Sequence, residues 1–185
     1  AKDPGDWYVD LNVTTDDRKP VFAWGEGYLR SDGEGGWTAL GSASVSIKPA
    51  PGIKLRVGPY IEVDRLSAQP VTRVSDSLAT DTYGRRYVFA TVDQVSTSIS
   101  TRLDWTFSPR LSLQLYGQLF VGSGAYHTFK EFAAPRTYDF IRYGADQGAI
   151  GRDSTGLYTV EPDGPGPAAP FTFYDPNFND RSLRG

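Results

Sequence analysis

The sequence contains no cysteine, no methionine and a single histidine. The absence of cysteine excludes a disulfide scaffold, a thiolate zinc site and a cysteine nucleophile. His127 alone cannot build a multi-histidine metal site, and we expect neither a metal nor another cofactor. No run of about 18 apolar residues occurs, which excludes a transmembrane helix. The formal net charge of −3 is not typical of proteins that bind nucleic acid, which carry an excess of basic residues. We therefore expect no nucleic-acid partner.

Aromatic residues, by contrast, make up 14% of a chain whose mean hydropathy is only −0.40. A polar chain with many aromatic residues and 20 glycines is typical of β-structure with wide connections. A membrane location stays open, because a strand of a β-barrel needs only one apolar face.

Apolar and polar residues alternate with a period of two through most of the first 121 residues. The pattern is clearest in segments 37–48, 53–64, 95–107 and 111–121, and it recurs in 7–13. Alternation of this kind predicts half-buried strands. Segment 20–30 is predicted to be a strand with ambiguous facing. We therefore predict an all-β fold: an antiparallel up-and-down meander of about six strands over residues 1–121, followed by a long loop excursion over 122–185.

Strand and connection lengths favour an outer-membrane β-barrel with long external loops. Several predicted strands reach the 9–11 residues or so that cross a bilayer at a tilt. Short connections at 14–19, 49–52 and 108–110 alternate with longer ones at 31–36, 65–86 and 122–180, as in such barrels. A soluble β-sandwich or small barrel remains the alternative, because it alternates in the same way.

The polar face of the predicted strands carries candidate lumen-facing side chains. They are Lys54, Arg56, Glu62, Arg102, Asp104 and Gln114. The same residues would equally suit a solvated outer face. Glu62 and Asp64 share a face at a spacing that could serve glycoside hydrolysis, but a charged ladder is the simpler interpretation. No complete catalytic set is present, so we do not expect an enzyme.

The predicted excursion is rich in aromatic residues that could stack on sugars or contact a partner protein. The candidates are Tyr126, Phe129, Tyr138, Tyr143, Phe173 and Tyr174. A long loop of this composition can also fold back as its own core or plug a lumen.

Four stretches of the chain resemble the C-terminal region of the DUF5916 proteins of Gram-negative bacteria. They are residues 83–121, VSDSLAT at 74–80, FKEFAAPRTYDFIRYG at 129–144 and DPNFNDRSLRG at 175–185. The resemblance extends from about Asp16 to the end. It implies an exported outer-membrane β-barrel that accompanies a family-9-like carbohydrate-binding domain, and it supplies no catalytic residues.

Six strands would leave two open edges, which lipid does not tolerate because edge N–H and C=O groups stay unpaired. We therefore expect a fragment of a larger barrel, or a sheet completed by other protein chains. The absence of methionine also suggests a processed or excised piece.

The leading functional hypothesis is an outer-membrane barrel segment at the cell surface with a structural or transport role. Its partners would be the lipid bilayer, other protein chains that complete the sheet, and a glycan. The alternative is a soluble module that binds carbohydrate or protein through its aromatic loops, and a glycan hydrolase ranks last.

Overall fold

The computed structural model describes residues 5–185; residues 1–4, which the predicted meander included, lie outside the described part. Antiparallel strands dominate it, and a short 3₁₀ helix spans Thr80–Thr82. The strands are β1 Trp7–Thr14, β2 Val21–Ser31, β3 Trp37–Ala50, β4 Ile53–Ser75, β5 Arg85–Ser108, β6 Leu111–Phe132, β7 Phe140–Arg142, β8 Ala149–Arg152, β9 Leu157–Glu161, β10 Phe171–Tyr174 and β11 Phe178–Arg184.

The main sheet follows the order β1-β2-β3-β4-β5-β6-β11, with β7 paired to the far end of β6. A second sheet has the order β10-β9-β8. The prediction of an all-β antiparallel meander is confirmed. Between Gly5 and Gly185 no pairing joins β1 to β11, so the main sheet is open at both edges.

Strand register places residues of one parity on each face of the main sheet. Odd-numbered residues pair with odd-numbered residues from β1 to the lower part of β6. We call the two surfaces the odd face and the even face. One row of the odd face is apolar from β1 to β5, with Val9, Leu29, Ala39, Val63 and Val95, and reaches Ser123 on β6. Another row is apolar from β2 to β6, with Val21, Ile47, Leu55, Leu103 and Leu115.

Three strands extend beyond segments 53–64, 95–107 and 111–121, in which the alternation is clearest. The predicted connection at 65–86 shrinks to 76–84, and the predicted excursion begins at 133 rather than 122. In β4, register shifts against β5 lie between Leu66 and Gln69 and between Pro70 and Thr72. Such bulges interrupt a period of two, which hid the strand extensions. Pro70 is tolerated because β3 no longer pairs with this part of β4.

A bulge in β6 reverses the parity of its last residues. Two residues, Thr128 and Phe129, stand opposite Ala90 of β5, and Thr128 adopts a left-handed backbone with φ of 53°. One extra residue shifts every later side chain to the opposite face. Odd-numbered Phe129 and Glu131 therefore share a face with even-numbered Val88, while Lys130 and Phe132 turn to the other side.

The lengths of the connections differ between the two ends of the sheet, chiefly in the later hairpins. Residues 51–52 and 109–110 form two-residue turns at one end, whereas 76–84 and 133–177 connect strands at the other. Gly52 needs its φ of 82° to follow Pro51 in such a turn. The connections 15–20 and 32–36 are alike in length, so the asymmetry expected there is absent. We call the ends the short-turn end and the long-loop end.

Residues 133–177, which we call the cap, fold back over the even face at the long-loop end. The cap places β8, β9 and β10 against the extended parts of β4, β5 and β6, whereas β7 pairs with the end of β6 and its Phe140 ring stacks on Phe132. A core forms there from Val88, Ala90, Phe129, Tyr143, Val160, Phe171 and Phe173. Because Val88 and Ala90 are the even-face residues of β5, the hydrophobic core of the described chain lies on that side of the sheet.

Candidate functional site

The even face below the cap holds a groove of about 720 Å³. It is lined by aromatic, basic and hydroxyl side chains that different strands bring together, including Phe22, Trp24, Ser44, Arg56, Tyr60, Ser98, Ser100, Gln118 and Phe120. The volume falls in the range of small-molecule sites, and the mixture of flat rings and hydrogen-bonding groups is typical of them.

The six residues predicted to face a lumen all lie on the even face. Lys54, Asp104 and Gln114 form one row across β4, β5 and β6, and Arg56 pairs with Arg102. Glu62 lies further along β4, opposite Leu40 and Ser96. Register alone thus brings these residues to one surface.

Individual interactions fix several of these polar side chains. Arg102 forms an ion pair of 3.2 Å with Asp104 on its own strand. Arg56 donates from Nε to Ser46 Oγ at 3.2 Å, and Tyr60 donates its hydroxyl to Glu62. Ser46 is fully buried, so it holds the guanidinium of Arg56 from beneath.

Charges on the even face are unevenly distributed along the strands. Toward the short-turn end the basic side chains of Lys48, Lys54, Arg56 and Arg102 outnumber the one carboxylate of these strands there, Asp104. Toward the long-loop end Glu26, Glu62 and Asp64 outnumber Arg30. A charged ligand on this face therefore meets a different net charge at each end.

Two lysines converge on one aromatic ring at the basic end. Lys48 Nζ lies 5.1 Å and Lys54 Nζ lies 5.4 Å from the centroid of the Phe22 ring. Sequence reasoning missed Phe22 and Trp24 as groove residues, because the facing of segment 20–30 was ambiguous. Pairing of Phe22 with Ser46 and of Trp24 with Ser44 places both on the even face.

The aromatic residues predicted to contact a ligand or partner divide into two groups. Phe129, Tyr143 and Phe173 are buried in the cap core, with Phe129 and Phe173 centroids 5.0 Å apart. Tyr126 packs against the same core. These four aromatic residues pack within the protein itself, which is the alternative in which the long loop folds back as its own core.

Tyr138 and Tyr174 lie nearer the surface. Tyr138 is half-buried and meets Phe140 edge to face at 5.3 Å. Tyr174 is 75% exposed, and its contact with a ligand or partner stays a prediction.

Beneath the cap, one arginine bridges two carboxylates. Arg86 Nε lies 2.6 Å from Asp76 Oδ2, and its Nη1 lies 2.5 Å from Glu131 Oε1. Burial raises the pKa of the Glu131 carboxyl, which Arg86 opposes. For Asp76, the backbone N–H of Leu78 lowers the pKa, and Arg86 adds to this effect. These groups lock the 76–84 connection to β5 and β6.

The Tyr143 hydroxyl is buried beside this cluster without a hydrogen-bond partner in the described residues. Burial and the charge of Glu131 raise the pKa of the phenol, so it is neutral near pH 7. The Tyr143 ring belongs to the cap core, with its centroid 6.0 Å from that of Phe171.

Within residues 5–185, no group of three or more histidine, aspartate or glutamate side chains is arranged to hold a metal ion. None of the helices described there is long and apolar enough to cross a membrane.

Comparison with known proteins gives no relative. No protein-family model, no curated protein and no solved structure matches the chain.

Proposed function

We propose that this chain is a segment of an outer-membrane β-barrel of a Gram-negative bacterium, with a structural or transport role and no catalytic activity. The observation that carries the proposal is the exposed apolar odd face. Leu115 is 53% exposed, Ile61 48% and Ile99 44%, and none of them is covered by the cap. An apolar surface across six strands is far larger than a soluble monomer tolerates, and lipid would cover it.

The height of the apolar band supports this assignment. The odd residues stay largely apolar from Val95 to Phe107 on β5 and from Leu111 to Val121 on β6. At about 3.4 Å per residue and a tilt of about 45°, these runs rise about 29 Å and about 24 Å. The apolar band of an outer-membrane barrel is about 25 Å tall.

Aromatic residues border the band at both ends. Trp7 and Trp37 lie on the odd face at the long-loop end, and both are paired with Ser31 of the intervening strand β2. Trp105 and Phe107 stack with centroids 4.5 Å apart at the short-turn end. Amphipathic rings favour the two membrane interfaces, so this placement agrees with a spanning sheet.

The polar even face would then face the interior of the barrel, and the cap would lie outside the membrane over its mouth. Such an arrangement requires further strands beside β1 and β11, because unpaired edge groups are costly in lipid. Other chains or further strands of the same protein would supply them. The resemblance to DUF5916 proteins supports the same location and implies a glycan as a partner.

A soluble binding module fits these observations less well. A β-sandwich would bury Ile99, Leu103 and Leu115 against a second sheet, whereas the second sheet here covers the opposite face. The aromatic side chains available for a ligand in the cap are also fewer than the sequence predicts.

Tryptophan quenching by lipid provides a direct test. The four tryptophans lie on both faces: Trp105 on the odd face and Trp24 on the even face serve as the matched pair. A protein that retains only Trp105, reconstituted in vesicles of brominated phospholipid, should be quenched strongly. A protein that retains only Trp24 should be quenched little, because its side chain faces away from lipid.

Two results would overturn the proposal. One is equal quenching of both tryptophans; the other is a stable, monomeric β-sheet protein in buffer without detergent. The supporting results are flotation with vesicles and a heat-dependent shift in gel mobility after refolding.

A further inference from the structure

The short-turn end of the even face carries an excess of positive charge. Two of its basic groups are neutralised nearby, since Arg18 lies 3.1 Å from Asp16 and Arg102 lies 3.2 Å from Asp104. Three others, Lys48, Lys54 and Arg56, have no carboxylate within 4.0 Å among residues 5–185. Asp17 lines the groove with Arg56, and Asp104 lines the adjoining depression with Lys48 and Lys54.

Each of the three basic side chains is held by a contact with a neighbouring group. Both ammonium groups lie within 5.4 Å of the Phe22 centroid, and Lys48 Nζ also donates to the Asp17 carbonyl oxygen at 2.6 Å. Arg56 uses Nε for Ser46, which leaves its other N–H groups free to form a fork. Preorganised donors lose less entropy when they bind, so this cluster is suited to an anion.

The neighbouring groove offers room for the rest of a molecule. Arg56 and Phe22 line the groove of about 720 Å³, together with the rings of Trp24 and Phe120. Hydroxyls of Ser98 and Ser100 and the amide of Gln118 complete its polar lining. An occupant would therefore combine an anionic group with a ring that is hydroxylated or flat.

We propose that the even face binds a small organic anion, whose carboxylate or phosphate is held by Arg56, Lys54 and Lys48 and whose ring lies along Trp24 and Phe120. The site requires a solvated even face, and it does not depend on whether lipid covers the odd face. It therefore goes beyond the proposed barrel and fails or succeeds independently of it.

Trp24 provides the readout. The protein that retains only Trp24, refolded in non-ionic detergent, is titrated at low ionic strength with glucuronate, glucose 6-phosphate and glucose. We expect a saturable change in fluorescence with both anions, and binding of glucose that is at least about tenfold weaker. A lost charge-assisted hydrogen bond corresponds to about tenfold in affinity, so Arg56→Gln and Lys54→Gln should each weaken anion binding by about that factor. Added salt should weaken it too.

Arg110→Gln serves as the matched control, because Arg110 is an exposed cation in the turn at the same end of the sheet. Its binding constants should equal those of the parent. Any of three results would overturn the proposal. They are equal affinity for glucose and the two anions, anion affinity that is unchanged in both Arg56→Gln and Lys54→Gln, and no saturable change in fluorescence with any probe. Quenching of Trp105 by lipid is measured in a separate experiment, so failure of the barrel proposal can be distinguished from failure of the anion-binding proposal.

Discussion

Arg86 and Glu131 form an ion pair of 2.5 Å that joins β5 to β6 beneath the cap. The same guanidinium holds Asp76 at 2.6 Å, and the side chains of all three residues are no more than 12% exposed. One cation therefore compensates two carboxylates that have little access to water, and it ties the 76–84 connection to the long strands.

Loss of this arginine should loosen the cap. In Arg86→Met, Asp76 and Glu131 would face each other with no compensating charge, and removing one partner of a buried ion pair costs about 3–5 kcal/mol. We expect faster amide hydrogen exchange in β9 and β10 and faster proteolysis of the cap. Arg110→Met, an exposed turn substitution, should change neither, and protection in Arg86→Met equal to that of the parent would contradict the prediction.

Phe129 should be indispensable to the cap core, whereas Tyr174 should not. Phe129 is buried between Tyr158 and Phe173, at centroid distances of 4.7 and 5.0 Å. Phe129→Ala should lower the free energy of unfolding of the cap by about 3–5 kcal/mol through the cavity it leaves. Tyr174→Ala, at an exposed position, should cost less than about 0.5 kcal/mol. Denaturation of both variants, followed by fluorescence, compares the two costs; similar costs would refute the assignment of Phe129 to the core.

Asp146 should titrate far below an ordinary aspartate. The Arg142 side chain and its backbone N–H donate to the carboxylate and lower the pKa of Asp146 from 3.8 to about 2. Because the folded-state pKa is depressed, the ion pair stabilises the 142–147 turn above pH 3.8, and this stabilisation is lost as the pH falls toward 2. NMR titration of the carboxyl carbon measures the pKa. In Arg142→Gln it should rise toward its ordinary value; a midpoint near 3.8 in the parent would refute the pairing.

A charge on the odd face should block insertion, while the same charge one residue away should not. Leu115 lies on the odd face near the middle of the apolar band, and Gln114 lies on the even face. Arginine in contact with lipid at the midplane costs about 2–4 kcal/mol, whereas on the polar face it stays solvated. Flotation with vesicles should therefore fall for Leu115→Arg and persist for Gln114→Arg. Equal flotation would argue against lipid on the odd face.

The strands could be predicted from the sequence only where their pairing is regular. Alternation in 95–107 and 111–121 depends on local geometry alone, so it predicts both the strand and the face of Arg102 or Gln114. Above Leu66 the two bulges in β4 break the period, so the local pattern does not show that β4 continues there. On β5 the parity does continue back through Tyr87 and Phe89, but the pattern alone does not show which strand pairs with it.

The groove and the cap core depend on contacts between distant parts of the chain. Phe22 becomes a groove residue only through pairing with Ser46, and Lys48 reaches its ring from the next strand. Phe129 and Phe173 are far apart in sequence, so composition indicates that aromatic residues can pack against one another but not which of them do. The register of the sheet determines which of these side chains come together.

The extra residue at Thr128 means that β6 encodes its two environments by chain length as well as by composition. Deleting that single position would restore strict alternation through Phe132, with Phe129 directly after His127 and opposite Ala90. Phe129 and Glu131 would then keep the face of Val88 and Arg86, and Lys130 and Phe132 would keep the other. If Thr128 instead occupied a regular strand position, the two pairs of side chains would exchange faces. The bulge thus decides which side chains reach the cap core, and deletion of Thr128 should leave that core in place.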